Sequence, residues 1–323
     1  MNLHKLIIKI LIFIFVLSNI NFAFAQIDSL KIALIPDLHL SFNQEDNWVI
    51  FKETPVIFQN VINELNARSD IDYVFFGGDL INNDDKKLTD TSYIEDVLTD
   101  FKHCFYTILG DREADLNEGY EKTDFTSEFK KNGFSFSKQT YYIQDLKDGY
   151  VLIGLDTTIK NKFEGELDKD QLDWLKKNLE LAKDKKVIIL MHHPALITSE
   201  IPFNRDFLLK NSSEFLELAA KYPNIKLVLS GHLHMNSIVK QNKTYFITSS
   251  SVSTYPNSFK ILTIYNDRFE VENQKIKLPS FIKKSKKLLP DTEYAKKIIE
   301  KPQDILKFTS GNNSSNKKEY FFN

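Results

Sequence analysis

A chain of 323 residues with 42% hydrophobic side chains can bury one sizeable core or two modest ones. Its formal net charge of −2 hides an asymmetry: residues 1–25 and 279–323 are both net positive, so the body between them is acidic, which argues against gripping a nucleic-acid backbone. The single cysteine, Cys104, excludes an internal disulfide and leaves stability to the core.

The first residues carry the marks of a secretion signal. Lys5 and Lys9 precede an apolar stretch, Ile10 to Leu17, and Ala23-Phe24-Ala25 supplies the small-residue cleavage pattern. The rival is a retained anchor helix, disfavoured by the short apolar core and the Ala-x-Ala ending. Cleavage before Gln26 is expected, no later stretch is apolar enough to span a bilayer, and no cysteine follows for a lipid anchor. The expected parts are a signal (1–25), a body (26–278) and a lysine-rich extension (279–323), with the mature protein periplasmic or extracellular.

An apolar run, Leu30 to Ile35, reads as a buried strand ending at Pro36, and Asp37-Leu38-His39 follows it. Thr54 to Ala67 has helical spacing, the apolar positions Val56, Ile57, Val61, Ile62 and Leu65 recurring at that period, with Pro55 in a capped first turn. The next strand, Asp72 to Gly77, opens onto Gly78-Asp79. After a short helix (93–101), Cys104 to Leu109 reads as a third strand, with Cys104 a small buried residue. It opens onto Gly110-Asp111-Arg112-Glu113. Tyr141–Asp145 and Tyr150–Leu155 form a hairpin, and Lys169 to Lys183 an amphipathic helix. A strand ending at Met191 leads to His192-His193. A helix (213–220) and a strand (225–230) then lead to Gly231-His232-Leu233-His234. The remaining runs, 237–240, 245–248, 259–265 and 269–276, are all strand-like. This order predicts two packed sheets covered outside by helices. Residues 311–316 read as a frayed end, and the lysine-rich extension as solvated and partly helical, with contact to an anionic surface as the alternative.

Five of the seven histidines, His39, His192, His193, His232 and His234, stand at the polar ends of strands. Any one alone is most simply a hydrogen-bonded surface or core residue. The three aspartates at equivalent places, Asp37, Asp79 and Asp111, make that reading improbable for the set. Mixed carboxylate and imidazole donors suit Zn, Mn or Fe ahead of Mg or Ca. Two such cations can activate a bridging water and clamp phosphoryl oxygens, and a carboxylate such as Asp79 can bridge them.

Asp37-x-His39, Gly78-Asp79, Gly110-Asp111-Arg112-Glu113, His192 and Gly231-His232-x-His234 together resemble, in order and spacing, the calcineurin-like metallophosphoesterases, over roughly residues 30–275. Gly165-Glu-Leu167, Gln171-Leu172 and Trp174-Leu175 are similar to a stretch of the cyclic-nucleotide phosphodiesterase and purple acid phosphatase branches. The resemblance implies a four-layer αββα sandwich of two mixed sheets flanked by helices, an α/β fold. It implies two transition-metal ions and a small-molecule phosphate substrate attacked by a metal-bridging hydroxide. By position, Asp37, His39 and His234 would hold the first ion and Asp79 would bridge. His192, His232 and Asp111 would hold the second, Asp111 standing where the family usually has Asn. His193 is the less favoured ligand of its pair, because the family's His stands two residues before Pro, here Pro194; it is left to support His192 or face substrate.

The departure is Arg112, where the family usually has a His thought to serve the leaving oxygen. Arginine cannot act as an acid near neutral pH, yet its fork of donors can hold phosphate oxygens and neutralise developing charge. An Arg here also resembles the active UDP-diacylglucosamine pyrophosphohydrolase branch. Two functions are therefore weighed: an exported phosphoesterase in which Asp79 and Arg112 carry catalysis, and an impaired metal- or phosphate-binding homologue lacking the histidine acid. Glu113 and Asp115 are read either as groups orienting Arg112 or as solvated loop acids, and Asp156 as a turn residue or a supporting acid.

Overall fold

The computed structural model describes residues 29–83, 89–114, 121–135, 139–311 and 317–322. The signal reading at 1–25, Asp115, and the end at 312–316 lie outside the described residues. In chain order the first elements are β1 (Leu30–Ile35), α1 (Thr54–Asn66), β2 (Tyr73–Phe76), α2 (Thr89–Thr99), β3 (Cys104–Thr107), the single turn α3 (Asp111–Ala114) and α4 (Lys122–Glu128). Next come β4 (Tyr142–Asp145), β5 (Tyr150–Gly154), α5 (Lys169–Leu181), β6 (Lys186–Leu190), α6 (Ser212–Lys221), β7 (Ile225–Ser230), β8 (Ser237–Gln241) and β9 (Thr244–Thr248). The last are β10 (Ser258–Ile264), β11 (Arg268–Lys275), α7 (Pro279–Leu288), α8 (Glu293–Ile298), α9 (Ile305–Ser310) and β12 (Lys317–Phe321).

Two mixed six-stranded sheets result, in the orders β12-β11-β10-β1-β2-β3 and β4-β5-β6-β7-β9-β8. In the first, β1 runs parallel to β2 and antiparallel to β10. In the second, β5, β6, β7 and β9 are parallel and β4 and β8 close the edges antiparallel. The strand side chains explain the layering. Leu152, Ile188, Leu190, Leu227 and Leu229 join the core between the sheets, while the alternating Val151, Ile153, Val187 and Ile189 pack against Leu172, Leu175 and Leu179 of α5 and Phe215 of α6. Both faces of these strands are buried, which is why they read as unbroken apolar runs. On the far side, Ile57, Phe58 and Val61 of α1 cover the first sheet. The αββα arrangement predicted for the chain is the one observed.

Two expectations are corrected. Cys104 is exposed, because β3 is an edge strand and the cysteine is its first residue. The lysine-rich extension is also far from solvated. Leu289, Ala295, Ile298, Ile299, Ile305 and Phe308 bury against Phe207, Leu208, Leu233 and Met235 in a third apolar cluster. The lysines mask this in the composition, since short helices need only a few apolar residues to make one buried stripe. No helix among the described residues is long and apolar enough to cross a membrane.

Candidate metal centre

The C-terminal ends of β1, β2, β3, β6 and β7 lead into loops at one edge of the two sheets, where parallel strands deliver side chains to a common point. The turns there are sharp: Asp37, His39, Asp79, His232 and His234 all have left-handed backbone, with φ of 57°, 50°, 51°, 66° and 48°. Non-glycine residues rarely hold such angles unless the surroundings impose them, and they concentrate at functional sites. Here backbone bonds impose them. Asp37 N–H donates to the Gly78 carbonyl (3.0 Å), His39 N–H to the Asp79 carbonyl (2.8 Å), and the hydroxyls of Ser251 and Ser253 donate to the Asp37 carbonyl at 2.6 and 3.1 Å. Gly78 itself (φ 85°) allows close packing, since a Cβ there would lie 2.7 Å from His192 Nδ1.

Three overlapping groups of donor atoms form, each within 4.8 Å: Asp37, His39 and His234; Asp37, Asp79 and His192; and Asp111, His192, His193 and His232. Asp79 Oδ2 lies 3.4 Å from His39 Nε2 and 3.5 Å from His192 Nε2, between the two ends of the cluster. Its Oδ1 accepts the Arg112 backbone N–H (2.8 Å), which fixes the carboxylate's orientation. Asp111 Oδ1 receives both His192 Nε2 (3.0 Å) and His232 Nδ1 (3.1 Å). The sequence-predicted residues Asp37, His39, Asp79, Asp111, His192, His232 and His234 are thus all brought together, and all are buried.

The outer bonds choose the ring tautomers. His192 Nδ1–H donates to the Gly77 carbonyl (2.8 Å), which turns Nε2 toward the cluster. The Thr254 hydroxyl donates to the Trp48 carbonyl (3.1 Å), so it accepts from His234 Nδ1–H (3.0 Å) and leaves Nε2 free to ligate. That Nε2 faces His39 Nε2 at 3.1 Å, two ring nitrogens pointing at one another. His39 Nδ1 and His232 Nε2 are buried with no hydrogen-bond partner among the described residues. Burial, and then the neighbouring His234 and Arg112, hold the His39 imidazole well below its ordinary range; burial, with His232 and His192, does the same for His234. Burial raises the Asp37 carboxyl well above its usual range, with Asp79 and Asp111 adding to the effect. Burial likewise disfavours charge on Asp111, but the His192 and His232 hydrogen bonds outweigh it and leave that carboxyl well below its usual range. Burial works against charge on His192, but Asp79 and Asp111 outweigh it and hold that imidazole well above its ordinary range. Three buried carboxylates and four imidazoles converging on one point form a donor set that cations would complete by displacing protons, and the residues present fit two.

The neighbours take other roles. His193 accepts the Thr157 hydroxyl at Nδ1 (2.8 Å) and donates from Nε2–H to the Phe163 carbonyl (3.1 Å), so its nitrogens are spent on holding the 157–163 loop. Glu113 neither orients the Arg112 side chain nor lies in solvent. Its buried carboxylate accepts four backbone N–H groups, from Asp79, Leu80, Ile81 and Gly110, at 2.7–3.1 Å. Asp156 accepts Lys122 Nζ and the Thr158 backbone and hydroxyl, and works as a turn anchor away from the cluster.

The cluster opens into a cavity of about 590 Å³, walled by Trp48, Arg112, Phe163, Phe207 and Tyr294. Trp48 and Tyr294 escaped the sequence reading. Trp48 is one of two tryptophans and sits in a loop, a weak signal, and Tyr294 carried none, because it approaches from the C-terminal extension.

A calcineurin-like phosphoesterase family model matches residues 30–236. A probable glycerophosphodiester phosphodiesterase from Arcobacter nitrofigilis is 30% identical over 198 residues, 59% of this chain and 66% of that protein, just under two thirds of its length. A probable cyclic nucleotide phosphodiesterase from Fibrobacter succinogenes is 29% identical over 69% of this chain and 80% of its own. Among solved structures, a dimetal phosphatase from Danio rerio superposes with a TM-score of 0.63, covering 76% of this chain and 96% of its own; at 14% identity this is a likeness of fold. The family model takes in all five strand ends that lead to the cluster, those of β1, β2, β3, β6 and β7, and with well over half of its length in that match the chain belongs to the calcineurin-like phosphoesterase family.

Proposed function

We propose that this protein hydrolyses a small phosphate ester or anhydride at a two-metal centre. Asp37, His39 and His234 would hold one ion and Asp111, His192 and His232 the other, with Asp79 placed between the two sets. The observation that carries the reading is Asp79 Oδ2, placed almost equally from His39 and His192 at the meeting of two donor groups. When bound, Zn, Mn or Fe would supply Lewis acidity toward phosphoryl oxygens and lower the pKa of water. The chain's own part is positioning and charge. The Arg112 backbone N–H orients Asp79, and its guanidinium, Nε 3.9 Å from Asp111 Oδ2, reaches the cavity wall. There it can bind phosphate oxygens and offset charge on the departing oxygen, but it gives up no proton. Lost acid help is worth ~10²–10⁴-fold, so aryl phosphates and anhydrides are the favoured substrates. The chain is also read as exported, with residues 1–25 removed.

Arg112 equally motivates a second reading, a homologue that binds metal and phosphate without turnover. Elemental analysis of protein beginning at Gln26, paired with hydrolysis of an aryl phosphate, an aryl diester and a nucleoside diphosphate, separates the two. About two metal ions per chain with turnover is the expected result. Two ions with tight phosphate binding and no turnover on any of the three would establish the second reading.

A further inference from the structure

The cavity wall holds an aromatic pair that joins the C-terminal segment to the metal centre. Tyr294 stands on α8, beyond the 30–236 stretch of the family match. Its ring stacks on Trp48, with centroids 4.8 Å apart and planes 15° apart. Its hydroxyl donates to the carbonyl of Leu233, the residue between His232 and His234 (3.2 Å). Trp48 in turn meets His39 edge-on at 4.7 Å and lies 5.1 Å from His234. The Arg112 guanidinium lies 5.9 Å from the centre of the indole. One indole thus touches two of the clustered histidines and lies beside the Arg112 guanidinium at the cavity wall, and the stacked Tyr294 ring supports it.

An arginine side chain has several rotatable bonds, and a cation–π contact narrows the positions its guanidinium visits. Taking away the ring behind the indole frees the indole, and with it the guanidinium. We propose that Tyr294 is a positioning residue: its ring braces Trp48 so that Trp48 holds Arg112 toward the phosphate. This rests on the hydrolytic reading above. It makes the C-terminal segment part of the active site.

The test uses full-length metal-loaded protein, aryl phosphates of graded leaving-group basicity, and Tyr294→Leu, Tyr294→Phe, Arg112→Ala and the Tyr294→Leu/Arg112→Ala double variant. Tyr294→Leu is expected to lower kcat/KM roughly tenfold on the poorest leaving group and less on the best. Tyr294→Phe keeps the ring and should keep the wild-type dependence on leaving group. In the Arg112→Ala background the Tyr294→Leu loss should vanish, because a brace has no effect once its object is gone. Losses that multiply independently, or a Tyr294→Leu loss equal across the series, would overturn the proposal. If Tyr294→Leu does not fold, Trp48→Phe in both Arg112 backgrounds asks the same question through the indole. Calorimetry with inorganic phosphate gives a readout independent of turnover, and the same non-additivity is expected there. That coupling in a protein that turns over no substrate would remove the hydrolytic reading and leave the brace standing. Turnover with additive losses would do the reverse.

Discussion

Glu113 illustrates how much one buried carboxylate can organise. Burial, reinforced by Asp79, pushes its pKa up to about 7 against the pull of the backbone amides it accepts. Glutamine there would turn an NH₂ group toward two of those four donors, costing about 1–3 kcal/mol for each group left unsatisfied. Glu113→Gln is therefore expected to lower Tm clearly and to weaken metal retention through the Asp79 loop; an unchanged Tm and metal content would contradict the role. Asp79→Ala should cost far more in activity than in stability, which steady-state kinetics and a thermal melt on one preparation can separate. Lys260 gives a residue-scale test away from the site. It is buried in β10, with Nζ donating to Asn236 and Asn273 at 2.6 Å, and burial pulls its pKa down to about 7. Between that value and the ordinary lysine range the unfolded chain binds more protons, so stability rises with pH across this window. The Tm of the wild type should gain on that of Lys260→Met from about pH 7 to about pH 10.

At the scale of elements, the loop ends of the strands matter more than the strands. A Cβ on Gly110 would collide with the Asp79 amide and carboxylate, backbone included, so neither side can simply step aside. Gly110→Ala is expected to displace Asp79 and abolish activity while α1, α5 and the sheets stay folded, which circular dichroism beside kinetics would show. The C-terminal helices behave differently. Deleting everything after Leu278 would strip Leu289, Ile298, Ile305 and Phe308 from the cluster around Leu233 and Met235. Each buried side chain of that size is worth about 1.5–3 kcal/mol, a large share of a typical stability. Such a truncation should aggregate or lose its metal, and a soluble, metal-replete, active product would show the segment dispensable.

At the scale of the whole molecule, cations and fold should be linked. The centre brings Asp37, Asp79 and Asp111 together in a buried site. A ligand that binds only the folded state stabilises it by about 4 kcal/mol at a thousandfold excess over Kd. Chelation is therefore expected to lower Tm by several degrees, reversibly on adding Zn or Mn, and an unchanged melt would argue against ions at these residues.

By itself the amino-acid sequence determined the strands β1 to β11, though not the edge strand β12, and which carboxylates and imidazoles stand at their ends. Apolar runs of strand length and residue types such as His and Asp are local properties, readable without knowing what packs on what. Even the Arg112 substitution is visible that way. Only the tertiary structure decided that Glu113 closes the Asp79 loop, that His193 spends its nitrogens on the 157–163 loop, and that Tyr294 reaches Trp48 from a lysine-rich extension. Those roles arise from contacts between segments far apart in the chain, and neither the period nor the composition of either segment records its partner.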